Sequence, residues 1–310
     1  MGTARTSKRT PPEAGRSERQ RGAFERLVHQ QGLNSADHEK QEGSRGRTPA
    51  DRWSYTQNMA WIDSRGVRIH YEVEGSGSPV LLLHGLGASG DLNWRIPGWV
   101  GALNGSHRLI LVDHRGHGQS EKPHRQAAYS IQLIAADALA VLDAEGVPKT
   151  ALMGYSMGAM VAMELLLNAP ARFSAAVLGG MGSRWPRRDG ASRCSDVPTP
   201  SGAPPRRSQP RTALRLLGSF LRHYDPIAQH SIRRTIFRGD PPVDATRLAD
   251  IKVPVLVVAG SRDFLCSPSR ELAAAIPGAR HEVLPNRGHM GAVRDQHFKD
   301  AVKAFLSEVT

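Results

Sequence analysis

A serine set between glycines, Gly154-Tyr155-Ser156-Met157-Gly158, is where residue type and spacing in this 310-residue chain first suggest chemistry. A serine hydroxyl is a weak nucleophile until a neighbouring base takes its proton. The pentapeptide follows the apolar run Ala151–Met153 and opens the helical pattern Met157–Asn168. A sharp strand-to-helix turn would lift the Ser156 hydroxyl clear of a sheet. Side chains at 154 and 158 would collide with the neighbouring strand and helix, hence the glycines. The Met157 N–H would then lie at a helix N-terminus, where it can stabilise developing negative charge. The plainer reading is a glycine-rich turn with an idle serine.

A base and an acid should follow in the order Ser, carboxylate, His. His289 sits in Pro285-Asn286-Arg287-Gly288-His289-Met290, after a candidate last strand, His281–Leu284, and before the final helical pattern. His281 and His297 are the rivals, but one falls inside that strand and the other inside the helix. Asp263 follows the apolar run Val253–Gly260 and would orient the His289 imidazole and stabilise its cation. An aspartate there could also be a plain turn or cap residue. Asp250 and Glu282 are weaker alternatives. A second oxyanion donor is expected from His84-Gly85-Leu86-Gly87, after the run Val80–Leu83, with the Leu86 N–H paired to that of Met157. His84 reads as a brace for that loop rather than as a base.

Asp113-His114-Arg115-Gly116-His117-Gly118-Gln119-Ser120 suits a tight turn held by side-chain to backbone hydrogen bonds. His114 and His117 have no carboxylate or cysteine cluster beside them, so neither a metal site nor a cofactor is expected. Cys194 and Cys266 have no apparent partners, and Cys266 reads as a small buried residue.

The elements that must position these groups alternate. Val67–Val73 alternates apolar and polar residues, as a half-buried strand does. Val80–Leu83, Leu109–Val112, Ala151–Met153, Ala175–Leu178 and Val253–Ala259 are continuous apolar runs, as strands covered on both faces are. Ile131–Glu145, Met157–Asn168, Ser269–Ile276 and Ala292–Glu308 carry helical patterns. The fold class is therefore α/β, a mostly parallel central sheet flanked by helices. Residues 56–180 and 251–310 form its core. Residues 181–250 interrupt the alternation and read as an inserted lid. Its first half, Gly182–Thr212, is rich in Pro, Arg, Ser and Gly; Thr212–Tyr224 and Pro226–Phe237 read as short helices. Residues 1–55 hold few apolar side chains and read as a disordered basic tail with room for a short helix at Gly22–Gln31. Met59 is the expected physiological start, because folded-looking sequence begins at Ala60; N-terminal sequencing of the native protein decides it.

Composition narrows the class further. Hydrophobic residues are 39% and charged residues 23%, ordinary globular usage. Two cysteines exclude a disulfide scaffold. No apolar run reaches a membrane span and no secretory h-region is visible, so a cytoplasmic protein is expected. The net charge of +12 is uneven: residues 1–55 carry 11 basic against 7 acidic side chains, residues 181–250 carry 13 against 6, and the rest 17 against 16. The basic segments lack interleaved aromatics, so no nucleic-acid partner is expected. The pattern carries no signal for oligomeric state.

Taken together, H-G-L-G at 84–87, D-H-R-G-H-G-Q-S at 113–120, G-Y-S-M-G at 154–158, G-S-R-D at 260–263 and R-G-H at 287–289 resemble the α/β-hydrolase superfamily. The resemblance covers about residues 60–180 and 250–310. It implies Ser156 as nucleophile, Asp263 as acid, His289 as base, and residues 181–250 at the usual cap position. It implies acyl transfer to water through a serine ester, without metal or organic cofactor, on a small-molecule ester-like substrate. A serine at the elbow argues against the haloalkane dehalogenase and epoxide hydrolase branches, which place aspartate there. Carboxylic ester hydrolysis leads. Lactonase, carbon–carbon bond hydrolase, cofactor-free perhydrolase and a non-catalytic ligand-binding relative are the alternatives.

Overall fold

The computed structural model describes residues 22, 24–27, 58–183, 223–237, 245–263, 265 and 268–309. The segment Arg184–Pro210, nearly all of the helix expected at Thr212–Tyr224, Cys194, Cys266 and most of residues 1–55 lie outside these.

Eight strands form one sheet: β1 (Asn58–Asp63), β2 (Arg68–Glu74), β3 (Ser78–Leu83), β4 (His107–Val112), β5 (Thr150–Tyr155), β6 (Phe173–Gly179), β7 (Val255–Gly260) and β8 (Arg280–Leu284). Their spatial order is β1-β2-β4-β3-β5-β6-β7-β8. The β1–β2 and β2–β4 pairs are antiparallel and every other pair is parallel. Around the sheet lie α1 (Trp99–Leu103), α2 (Ile131–Ala144), α3 (Met157–Asn168), α4 (Pro226–Ile236), α5 (Ser269–Ala275), α6 (His289–Ala292) and α7 (Gln296–Val309).

The apolar runs become central strands because both sheet faces are covered. Leu81 and Leu83 of β3, with Ile110 and Val112 of β4, pack into a core that includes α2, α3 and α5. Their alternates Val80, Leu82, Leu109 and Leu111 pack the other way, with Trp94, Trp99 of α1 and Phe298, Phe305 of α7. Period-two geometry sends successive side chains to opposite faces, so a strand between two helical layers must be apolar throughout. Helix α3 is buried at every position from Met157 to Leu167, as a helix wedged between sheet and neighbouring helices must be.

Several elements differ from the sequence reading, among them α1, a helix it did not anticipate. β1 was not anticipated: its apolar side chains Met59 and Trp61 stay exposed at the sheet edge, so it shows no buried run. β2 is not half-buried; Ile69 to Glu72 are all buried, because β2 lies between β1 and β4 and uses His70 and Glu72 in polar contacts. β7 begins at Val255, after Pro254, which has no N–H to give to a ladder. The final helix, expected from Ala292, begins at Gln296 as α7, since the Asp295 carboxylate accepts the His297 N–H at 2.9 Å and caps a new start, while α6 turns within the segment expected to be a loop. Within the N-terminal segment, residues 24–27 are helical and Phe24 is buried in the core. The Arg65 guanidinium donates to the Leu27 carbonyl there.

Between β6 and β7, α4 lies against the loop that follows β4. Asp225 caps it by accepting from the Ile227 and Ala228 N–H groups, each at 2.9 Å. Ser231 Oγ donates to the His124 carbonyl at 2.8 Å and Gln229 Nε2 to the Gly116 carbonyl at 3.0 Å.

Candidate active site

Ser156 closes β5 and opens α3 at φ 55°, ψ −117°, one of three non-glycine residues with positive φ among those described. Such a conformation costs on the order of 1–3 kcal/mol and persists only where its surroundings enforce it. The glycines are what allow it. A Cβ on Gly158 would lie 1.9 Å from the Leu83 carbonyl oxygen, and one on Gly154 would lie 2.3 Å from the Gly158 oxygen. Gly158 is pressed against β3 and Gly154 against the first turn of α3, so only hydrogen fits at either position.

His289 Nε2 lies 2.9 Å from Ser156 Oγ, and His289 Nδ1 lies 2.8 Å from Asp263 Oδ2. The chain thus brings together three residues spread over 133 positions. Two loops set their register. After β7, Ser261 N–H donates to the Leu284 carbonyl and Arg262 N–H to the Arg287 carbonyl, both at 2.9 Å. Asn286 N–H donates back to Ser261 Oγ at 2.8 Å. The loops carrying Asp263 and His289 are therefore laced to each other. Asp263 is buried and its second oxygen accepts the Leu265 N–H at 3.2 Å, which fixes the carboxylate plane. Tyr155 hydroxyl donates to the His289 carbonyl, tying the His289 backbone to the residue before Ser156.

The loop after β3 runs beside the elbow: a Cβ on Gly85 would lie 3.3 Å from Ser156 Cβ. The Gly85 N–H is taken by Asn93 Oδ1 at 3.1 Å. Among the described residues, no protein acceptor is recorded for the Leu86 or Met157 N–H. A negative oxygen formed at Ser156 would find at Met157 the positive end of α3.

His84 joins this loop to the one after β4. Its Nδ1–H donates to the Gly85 carbonyl at 2.8 Å, and its Nε2 accepts the His114 N–H at 3.0 Å. With one nitrogen donating and the other accepting, the ring is neutral. Burial drives its pKa below the usual histidine value. In the loop after β4, Asp113 accepts from the Gly90 N–H and the Gln119 N–H, each at 2.8 Å, and from His70 Nδ1 at 2.9 Å. Burial pushes its pKa up, but these donors outweigh it and hold the carboxyl below its ordinary range. Arg115 is buried and paired in two contacts of 2.6 Å with Asp137 of α2. This is the cross-linked turn the spacing implied. His84, His114 and His117 pack ring against ring, and no group of residues suited to a metal occurs among those described.

The rival candidates lie elsewhere. His281 faces Ser269 Oγ at 3.0 Å, His297 pairs with Glu282 at 2.8 Å, and Asp250 sits 3.6 Å from Arg247. None of these contacts involves Ser156. Asn93, Tyr155 and the His84–His114 link escaped the sequence reading. Tyr155 alone carried a signal, its place inside the pentapeptide; the other contacts join residues whose proximity only the fold creates.

Comparison with known proteins agrees with this architecture. A family model described as alpha/beta hydrolase fold matches residues 78–192. A protein of Azorhizobium caulinodans, provisionally named carbamate hydrolase RutD, is 32% identical over 276 residues, spanning 81% of this chain and 99% of its own. The structure described as Est816, an N-acyl homoserine lactone degrading enzyme, is 27% identical with a TM-score of 0.59, covering 79% of this chain and all of that one. The enol-lactonase from Burkholderia xenovorans LB400 is 26% identical with a TM-score of 0.63, covering 80% and 100%. With a matching family model and a relative above 30% identity aligned along nearly its whole length, this chain belongs to the α/β-hydrolase family.

Proposed function

We propose that this protein is a serine hydrolase that cleaves carboxylic esters of small to medium size through an acyl-enzyme. The observation that carries the reading is the continuous chain Ser156 Oγ, His289, Asp263, with contacts of 2.9 and 2.8 Å. His289 Nε2 removes the Ser156 proton as Oγ attacks the carbonyl carbon. Asp263 accepts from His289 Nδ1–H, holds the productive tautomer and stabilises the imidazolium. The Leu86 and Met157 N–H groups hold the tetrahedral oxyanion; one such donor is worth about 10²–10³ in rate. His289 protonates the leaving alcohol, and water then repeats the sequence to free the acid.

A cyclic ester is cut by the same steps, with the leaving alcohol retained on the product. The two solved relatives described as acting on lactones support including that class. The segment between β6 and β7 takes the role of a cap over the substrate.

The test is hydrolysis of p-nitrophenyl esters of increasing acyl length and of a lactone panel, beside Ser156→Ala. Turnover in the parent that disappears in the variant supports the reading. Absence of turnover together with failure of a fluorophosphonate to label Ser156 would overturn it.

A further inference from the structure

Beside the loop after β3 lies a cavity of about 20 Å³, bordered by Gly87, Leu92, His117, Tyr224 and Gln229. That is room for one water-sized group. Two of its wall residues carry a buried polar atom with no partner among the described residues: Gln229 Oε1 and His117 Nε2. Gln229 is 3% exposed and His117 2%.

Their chemistry is fixed by what their other atoms do. Gln229 Nε2 donates to the Gly116 carbonyl at 3.0 Å, so its oxygen is the end left over. It faces the loop, 3.9 Å from where a Cβ on Gly87 would be. His117 Nδ1 lies 3.2 Å from the Arg115 carbonyl, an acceptor, so Nδ1 carries the hydrogen and Nε2 is a bare lone pair. Burial, and then the neighbouring His84, push the His117 pKa down to about 3, so the ring stays neutral. Both side chains are therefore acceptors, anchored on consecutive carbonyls of one loop. A buried acceptor without a donor is left desolvated and uncompensated. Two at one cavity call for a group with two hydrogens to give.

Gly85 lies beside Ser156 and Gly87 is two residues on, in a turn closed by the Ala88 N–H on the Gly85 carbonyl at 3.2 Å, so the cavity begins less than about 7 Å along the loop. We infer that Gln229 and His117 form a specificity subsite for a primary carboxamide about four bonds from the scissile carbonyl, with one N–H donated to Gln229 Oε1 and the other to His117 Nε2. The inference rests on the ester-hydrolase reading for what the carbonyl does, but not for whether the amide is bound. It makes Gln229 of α4 a substrate-contacting residue, which ties the segment between β6 and β7 to substrate choice.

The test separates binding from turnover. Ethyl succinamate and ethyl levulinate are matched probes: the terminal –NH₂ of the first is –CH₃ in the second. Their Kd values are measured by titration calorimetry on Ser156→Ala, which cannot consume them. The expected result is a preference of at least about tenfold for the succinamate, since a site built for a donor rejects the analogue lacking it. In Ser156→Ala/Gln229→Met that ratio should fall close to one. Ser156→Ala/His117→Phe is an independent arm that should lower it as well, and a melting curve establishes that each variant is folded. Equal Kd values in Ser156→Ala, or a preference that survives both second substitutions, would overturn the proposal and leave the cavity as a water site. Failure of the ester-hydrolase reading would appear separately, as absent turnover of both esters by the unmodified protein.

Discussion

At Ser156 the backbone, rather than the side chain, is the unusual feature. The positive φ is held by contacts that leave no space at Gly154 and Gly158. Gly158→Ala would place a methyl group 1.9 Å from the backbone oxygen of Leu83, with no flexible side chain to move aside. The expected outcome is a loss of about 3 kcal/mol or more, beyond ordinary overpacking, and a displaced serine. Denaturant unfolding together with fluorophosphonate labelling reads both effects; normal stability with normal labelling would refute the argument. Asp263→Asn leaves volume and shape almost unchanged but offers an N–H where His289 Nδ1–H needs an acceptor. Ester turnover should drop about 10³–10⁴-fold with stability little altered. A drop under tenfold would show that Asp263 does not set the histidine tautomer.

Elements hold these residues through a few buried polar links. Arg115, in the loop after β4, and Asp137, on α2, are 2% and 0% exposed at the side chain and form a two-point contact. Arg115 Nη1 also donates to the Ala128 carbonyl at 2.8 Å. Removing the carboxylate leaves a buried guanidinium unpaired, so Asp137→Ala should cost about 3–5 kcal/mol. Replacing the whole pair by apolar residues should cost much less, and comparing both variants by urea denaturation checks the asymmetry. Much of this scaffold was legible in the sequence. Continuous apolar runs such as Val80–Leu83 are the signature of strands covered on both faces, and they marked the central sheet. β1 gave no such signature because an edge strand leaves Trp61 exposed. The break before α7 was hidden because Asp295 sits in a pattern that is helical on both sides. The meeting of Ser156, Asp263 and His289 was legible because each follows a strand end in chain order. Asn93 and Gln229 were not, since neither sequence spacing nor composition tells that one reaches Gly85 and the other Gly116.

Over the whole molecule, buried titratable groups set how stability follows pH. Burial lowers the pKa of His84 and His117, and burial plus the neighbouring His84 and His117 lowers that of His114 well below the usual value. Unfolded, each would take a proton near pH 6.5. Stability from these rings is fully present above that pH and is lost as pH falls below it. Each contributes a slope of about 1.4 kcal/mol per pH unit, so the three together give a steep acid limb. Glu164, buried in α3 and held by Asn168 Nδ2 at 3.1 Å, acts in the opposite sense. Burial raises its pKa to about 7. Its stability contribution is complete below the unfolded value near 4.5 and is lost as pH rises through 7, an amount on the order of 3 kcal/mol. Between 4.5 and 6.5 the histidines outnumber the glutamate, so stability still rises with pH. At pH 6.5 each unfolded histidine is still half protonated, so the three rings go on outweighing Glu164, and above pH 7 the two contributions nearly cancel. Unfolding free energy measured by urea titration should therefore climb to about pH 7 and then level off. Glu164→Gln keeps the shape of the protonated acid and cannot ionise, so its profile should go on climbing between pH 6.5 and 8, by about 1 kcal/mol, with the acid limb left in place. A Gln variant that levels off as the parent does would show that Glu164 is not the group responsible.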